Sequence, residues 1–316
     1  SSFNGCSGIS NSIAIPNSVT SIGSNSFINC SSLSGLSIGN NVTNIGVNAF
    51  NQCTNIQGSI TLPDGLLYIK QNAFYNCNSI SGSLDIPNTV TTLGEGAFNR
   101  CASFTSLSLP DNATLDSILG GSFYGCTSMS GSLIIPNNIK SLGSSAFGGG
   151  CGFTSLTLSN TLESIGAACF SGANSFSGPL TIPDSVLTIG NNAFWQTTFN
   201  GALTIGSSVD SIDERAFKDC QVSGPLSLPS SVITIGPNAF ENCLSLDSVT
   251  LPDNTSYISI SEETFNGCSG LTGTLTIPDH VTSIGLGAFT NCSSLSTLVI
   301  PPNTIVAIGA NAFSGT

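Results

Sequence analysis

The stretch SVTSIGSNSFINC, Ser18 to Cys30, decides how the chain is read. Its Phe27 belongs to a column: Phe3, Phe27, Phe50, Phe74, Phe98, Phe123, Phe147, Phe170, Phe194, Phe217, Phe240, Phe265, Phe289 and Phe313, always 23, 24 or 25 residues apart. So short a period, held over 316 residues, is the mark of a solenoid. Each coil packs only on its neighbours, so one domain can grow without a central core. The spacing predicts a single solenoid domain over 1–316, of about thirteen coils.

Outward from the Phe, a full coil reads clearly at Gly178 to Thr197, GPLTIPDSVLTIGNNAFWQT. Leu180 and Ile182 alternate with polar residues, the period of a half-buried strand. Pro183 closes that strand, as Pro16, Pro63, Pro87, Pro110, Pro136, Pro229, Pro252 and Pro278 do elsewhere, because Pro lacks the N–H a ladder needs. Val186 and Ile189 mark a second short strand. Gly then follows in nine coils (Gly23, Gly46, Gly94, Gly143, Gly166, Gly190, Gly236, Gly285, Gly309), which predicts a backbone position with positive φ. The next segment is too short for a helix and reads as a tight turn that drives its Phe into the coil interior. Two matching insertions, Pro110 to Ile118 and Pro252 to Ile260, are expected to form exposed loops.

Composition narrows the function classes. Only 7% of residues are charged, and the net charge is −12. Five scattered cations (Lys70, Arg100, Lys140, Arg215, Lys218) cannot build a basic stripe, which argues against nucleic acid and anionic membrane partners. No apolar run approaches the ~20 residues of a membrane span. Both ends fall in mid-repeat, so the terminal coils are expected to be covered by flanking domains or by another copy of the chain.

With the pattern L-x-I-P-x-x-V-T-x-I-G-x-x-A-F-x-x-C in hand, the chain resembles the BspA-like class of leucine-rich repeats over essentially its full length. The Phe column, the Cys three positions later, the corner Gly and the strand-closing Pro carry the resemblance. It implies a mostly β, right-handed leucine-rich-repeat solenoid with a parallel sheet along one face and little helix. It also implies a secreted or cell-surface protein of bacteria or protists that adheres to host or matrix proteins and to other cells. It brings no motif of catalytic residues.

Candidate chemistry is sparse. Eleven of twelve cysteines form a column (Cys6, Cys30, Cys53, Cys77, Cys101, Cys126, Cys151, Cys220, Cys243, Cys268, Cys292); Cys169 is off it and reads as a substitute for Ala. Stacked coils place equivalent Cα atoms about 4.8 Å apart, close enough for a disulfide, but parallel Cβ vectors give poor torsions for one. Buried apolar thiols are therefore favoured. A metal site is not expected, since zinc wants clustered ligands and His280 is the only histidine. His280 reads as a solvated turn residue, with nothing gathered around it for nucleophilic catalysis. Glu262-Glu263 and Asp213-Glu214 read as corner charges rather than a glycosidase pair. Asp64, Asp111, Asp184, Asp253 and Asp279 alternate with Asn17, Asn88 and Asn137 after the Pro, a column read as turn residues first and a calcium ladder second. No enzymatic activity and no cofactor are expected.

The outward positions of the first strand form the candidate binding face: Ser59, Thr61, Ser106, Ser108, Ser155, Thr157, Thr181, Thr204, Ser248, Thr250, Thr274 and Thr276. β propensity and solubility alone would favour hydroxyls there. The functional reading is a flat, nearly uncharged docking surface for a protein, a carbohydrate or an ice lattice, interrupted by Asp85, Ile134, Pro179 and Pro225. Trp195, the only tryptophan, is either a binding hot spot or a gap-filler. Asn29, Asn41, Asn112, Asn254 and Asn291 begin glycosylation sequons, with Asn112 and Asn254 best placed in the inserted loops. The expected function is an extracellular, non-enzymatic adhesion or ligand-binding scaffold for a protein or glycan ligand on a cell surface or matrix. The alternative is a structural subunit that self-associates end to end.

Overall fold

A computed structural model describes residues 3–6, 8–112, 114–302 and 304–316. The chain divides into two compact units, 1–159 and 160–316. Each is a stack of parallel coils, and no helix is present among the described residues.

Both strand-like stretches of the coil form parallel ladders. In the first unit the first strands pair as Ser12–Ala14 with Gly35–Ser37, Gly82–Asp85 with Phe104–Ser108, and Ser132–Ile134 with Ser155–Thr157. In the second unit Leu180–Thr181 pairs with Leu203–Thr204, Ser223–Ser227 with Ser245–Thr250, and Gly273–Thr276 with Leu295–Val299. Three of these ladders carry a register shift, at Gly82/Ser83, Gly224/Pro225 and Gly273/Thr274. There a coil with the extra Gly meets a coil without it, and the surplus residue is taken up as a bulge.

The second strands are only two residues long, yet they stack more continuously. Ser21–Ile22, Asn44–Ile45, Tyr68–Ile69 and Thr92–Leu93 form one parallel run, and Ser117–Ile118 pairs with Ser141–Leu142. In the second unit Ser164–Ile165, Thr188–Ile189, Ser211–Ile212 and Thr234–Ile235 form one run, and Ser259–Ile260, Ser283–Ile284 and Ala307–Ile308 another. The breaks fall where the insertions enter. The inserted segments are not wholly exposed as expected: Leu115 and Tyr257 are buried at 3% and 0%, taking the place of the usual Val. Asn112 and Asn254 mend the gaps. Each Nδ2 donates to a backbone carbonyl of the preceding coil, Val90 at 3.0 Å and Val232 at 2.7 Å. Each Oδ1 accepts the backbone N–H of Leu115 or Tyr257 at 3.0 Å.

The third side is the Phe turn. Rings stack at 5.2 to 5.9 Å from Phe3 to Phe147, and at 5.2 to 5.5 Å from Phe170 to Phe313. Offset parallel stacking of buried rings adds to the area they bury. Residues two before and two after the Phe take positive φ, as at Asn72 (52°) and Asn76 (57°) around Phe74. This alternation points every second N–H at the next coil: Asn72, Phe74 and Asn76 donate to the carbonyls of Glu95, Ala97 and Asn99. Asn and Gly dominate both positions because they tolerate the left-handed region.

The corner glycines are therefore not the left-handed residues predicted. Gly46, Gly94, Gly143, Gly190, Gly236, Gly285 and Gly309 have ordinary φ, and a Cβ on any of them would meet the backbone of the preceding coil. On Gly94 it would lie 2.3 Å from the Gln71 nitrogen. Positive-φ glycines occur instead in the Phe turn, as at Gly96 and Gly125, and at the other corner, at Gly58, Gly82, Gly131, Gly178, Gly224 and Gly273. Gly94→Asn is expected to cost about 1–3 kcal/mol through overpacking. Gly131→Asn, with open space at its Cβ and φ of +75°, is expected to cost about 1 kcal/mol or less. Thermal denaturation of the two variants checks this, and the reverse order would refute it.

Candidate functional site

The thiol column is not merely apolar. In ten coils Sγ donates to the carbonyl of the Phe one coil back, from Cys53 to Phe27 at 2.9 Å through Cys126 to Phe98 at 3.3 Å. Where Thr197 replaces Cys, its Oγ1 is buried, donates to Phe194 O at 2.9 Å and lies 3.1 Å from Cys220 Sγ. Burial pushes Cys53, Cys151, Cys220 and Cys292 up to about 12. Cys77, Cys101, Cys126, Cys243 and Cys268 go well above the ordinary thiol value, through burial first and the neighbouring thiols second. These nine cysteines are unpaired by disulfide and burial disfavours their thiolates, so they are structural donors rather than nucleophiles.

The other singled-out side chains also have structural work. His280 is not a solvated turn residue. Its side chain is 15% exposed and tucked under the second insertion, with Nε2 3.3 Å from Pro252 O and Nδ1 3.9 Å from Asp253 Oδ1. Trp195 is half-buried, and its indole N–H donates to Asp219 Oδ2 at 3.1 Å. Asp219 Oδ1 in turn accepts from Asn242 Nδ2 at 2.9 Å, so the ring is tied across coils. Among the sequon asparagines, Asn41 donates Nδ2 to Asn17 O at 2.7 Å, as Asn112 and Asn254 do to their own preceding coils. Asn29 and Asn291 are exposed and occupy the left-handed position after the Phe. All five thus have a backbone reason to be Asn.

The hydroxyl face remains. Leu84 and Leu133 in the first unit, and Leu180, Leu203, Leu226 and Leu275 in the second, point into the core. Ser59, Thr61, Ser106, Ser108 and Thr157 are exposed on the first unit, and Thr181, Thr204, Ser248, Thr250, Thr274 and Thr276 on the second. Ser155 is half-buried and donates to Ser132 Oγ at 2.8 Å. This face is not featureless. In the first unit Ser59, Thr61 and Ser83 line a groove of about 280 Å³ with Asp64 and Asp85. In the second, Thr250, Thr274 and Thr276 line one of about 400 Å³ with Asp253 and Asp279. Ile60, Leu62 and Ile86 lie along the first groove, and Val249, Leu251 and Ile277 along the second.

Reading the post-Pro Asp column as turn chemistry first and a calcium ladder second missed these grooves. Its bond goes to the next coil rather than to its own turn: Asp184 Oδ1 accepts the Ser207 N–H at 2.7 Å, which holds its carboxyl below the usual range. The available signal was the spacing Thr-x-Pro-Asp at Thr61–Asp64, Thr181–Asp184, Thr250–Asp253 and Thr276–Asp279, which sets a carboxylate beside an outward hydroxyl. Among the described residues no three His, Cys, Asp or Glu side chains converge as metal ligands. No described helix is long and apolar enough to cross a membrane.

Comparison with curated proteins returns no match. A leucine-rich repeat protein from Bacteroides ovatus ATCC 8483 is 29% identical and superposes with a TM-score of 0.75, over 99% of this chain and 78% of that one. A leucine rich cell surface protein from Faecalibacterium prausnitzii A2-165 is 26% identical with a TM-score of 0.51, over 97% and 82%. A leucine-rich repeat protein from Eubacterium ventriosum ATCC 27560, 18% identical with a TM-score of 0.51 over 96% and 82%, shares the fold. The family profile described as BspA type leucine rich repeat region (6 copies) matches residues 1–105, 57–177, 91–223, 149–272 and 224–316. With the coil geometry and the profile in agreement along its length, the chain belongs to the BspA-type leucine-rich repeat family.

Proposed function

We infer that the chain is an extracellular, non-enzymatic scaffold that docks a macromolecular ligand on its first-strand face. The observation that carries this reading is the exposed row of hydroxyls and carboxylates on that face, held by buried Leu and cross-coil ladders. A surface of this kind, positioned by a rigid repeat, is how solenoids present extended binding sites. The similar Faecalibacterium chain, which is a cell surface protein, supports the location. Ten column thiols donate to Phe carbonyls and the lone histidine is tucked under the second insertion, which supports the non-enzymatic reading.

Solid-phase binding of the purified chain to a panel of immobilised matrix proteins and to fixed cells tests the reading. Filling the face with Thr61→Gln and Thr276→Gln is expected to weaken capture about tenfold, whereas Thr188→Gln and Thr234→Gln on the second strands leave it unchanged. Equal capture by both double variants would refute the assignment.

A further inference from the structure

We propose that the two strand-face grooves take lysine- or arginine-rich segments of a protein partner. This rests on the docking-face reading and names the partner's chemistry. In the first unit, Asp64 and Asp85 lie across neighbouring coils of one groove, and Asp253 and Asp279 do the same in the second. Ser83 Oγ donates to Asp85 Oδ2 at 2.9 Å, which fixes that carboxylate toward the hydroxyl row. Among the described residues no lysine or arginine reaches any of the four; only His280 approaches, at 3.9 Å from Asp253. Lys218 and Arg215 are spent on Glu241 and Glu214. Each groove thus offers two carboxylates without an internal Lys or Arg counter-ion, on a chain of net charge −12.

The floor sharpens the choice. Ile60, Leu62 and Ile86 are 4–7% exposed, and Leu251 and Ile277 are 4% and 1% exposed, so their side chains face the core and the floor is strand backbone carrying the exposed Ser and Thr side chains. A long cationic side chain lays its methylene stem along the Thr methyls of such a floor and keeps its charged head at the rim. There the Asp carboxylates accept its N–H groups in charge-assisted hydrogen bonds, and the Ser and Thr oxygens accept the remainder. An anionic ligand would meet only like charge, which costs affinity and specificity.

Fluorescence anisotropy of labelled octalysine, octaglutamate and a Gly-Ser octamer, titrated with the full chain, is the test. Octalysine is expected to bind, with affinity falling as salt is raised from about 0.05 to about 0.5 M, and the other two peptides are not. Combining Asp64→Asn, Asp85→Asn, Asp253→Asn and Asp279→Asn should weaken octalysine about tenfold or more. Asn already occupies the post-Pro column at Asn17, Asn88 and Asn137, so three of these replacements have precedent in the chain. A charge-matched control, Glu95→Gln, Asp116→Asn, Glu163→Gln and Asp210→Asn, should change affinity by about twofold or less. Equal weakening by the two quadruple variants, or no octalysine binding, overturns the proposal. If Thr61→Gln and Thr276→Gln still weaken matrix capture about tenfold in that case, the partner class alone falls and the docking face stands.

Discussion

Raised from about pH 8 to about pH 11, the folded chain is expected to unfold steeply, and the thiol column is the cause. Nine column cysteines, in both units, have their thiols pushed up to about 12 or well above the ordinary value, chiefly by burial. In the unfolded chain they ionise near their ordinary value of about 8.5. Between the two values the unfolded state has released protons that the folded state retains. The stabilisation is therefore whole below about pH 8 and is lost as pH rises, at about 1.4 kcal/mol per buried thiol per pH unit. Circular dichroism melts across that range, under reducing conditions, check the slope. Replacing Cys77, Cys101 and Cys126 by Ser keeps a donor for the Phe carbonyls and should flatten the dependence in proportion to the thiols removed. An unchanged slope in that variant would sink the explanation.

The second large effect belongs to the aromatic stack. Phe74 is fully buried between Phe50 and Phe98, each 5.2 Å away. Phe74→Ala should cost about 3–5 kcal/mol, because the cavity opens between two rings that the backbone ladders hold apart. Phe74→Leu keeps most of the volume and should cost about 1–2 kcal/mol. In a quasi-one-dimensional stack the loss acts on the interfaces with both neighbouring coils, so urea denaturation should show a broadened transition as well as a lower midpoint. A cost below about 1 kcal/mol for the alanine variant would mean the rings are not what holds adjacent coils together.

The sequence made some of these features easy to see and others invisible, for a physical reason. Phe, Cys and the strand-closing Pro meet their own counterparts in the next coil, so a contact in space becomes a period in the chain. The corner glycines were legible as a column, but their cause was not: small size forced by a backbone one coil away looks the same as freedom to take positive φ. The true left-handed positions hide because Arg100, Arg215 and Glu263 share them with Asn and Gly. Asn112 and Asn254 read as sequons, and the broken ladder that each also mends comes into view only once the coils are stacked. The grooves escaped for a similar reason. Asp85 looks like an interruption in its own strand, and only the stacking of coils puts it beside Thr61.

The uniformity of the Phe and Cys contacts has a genetic corollary. Within each unit a ring meets its neighbour at nearly the same separation, and a thiol meets the same carbonyl, whichever coil supplies it. At the Phe and Cys columns one coil's upper surface therefore matches another coil's lower surface, while the first strands take up differences in coil length as bulges. Unequal recombination between tandem copies of equal length can lengthen or shorten the array in single-coil steps without repacking these columns. Selection can then tune how many contact points the protein displays by copy number rather than by point substitution.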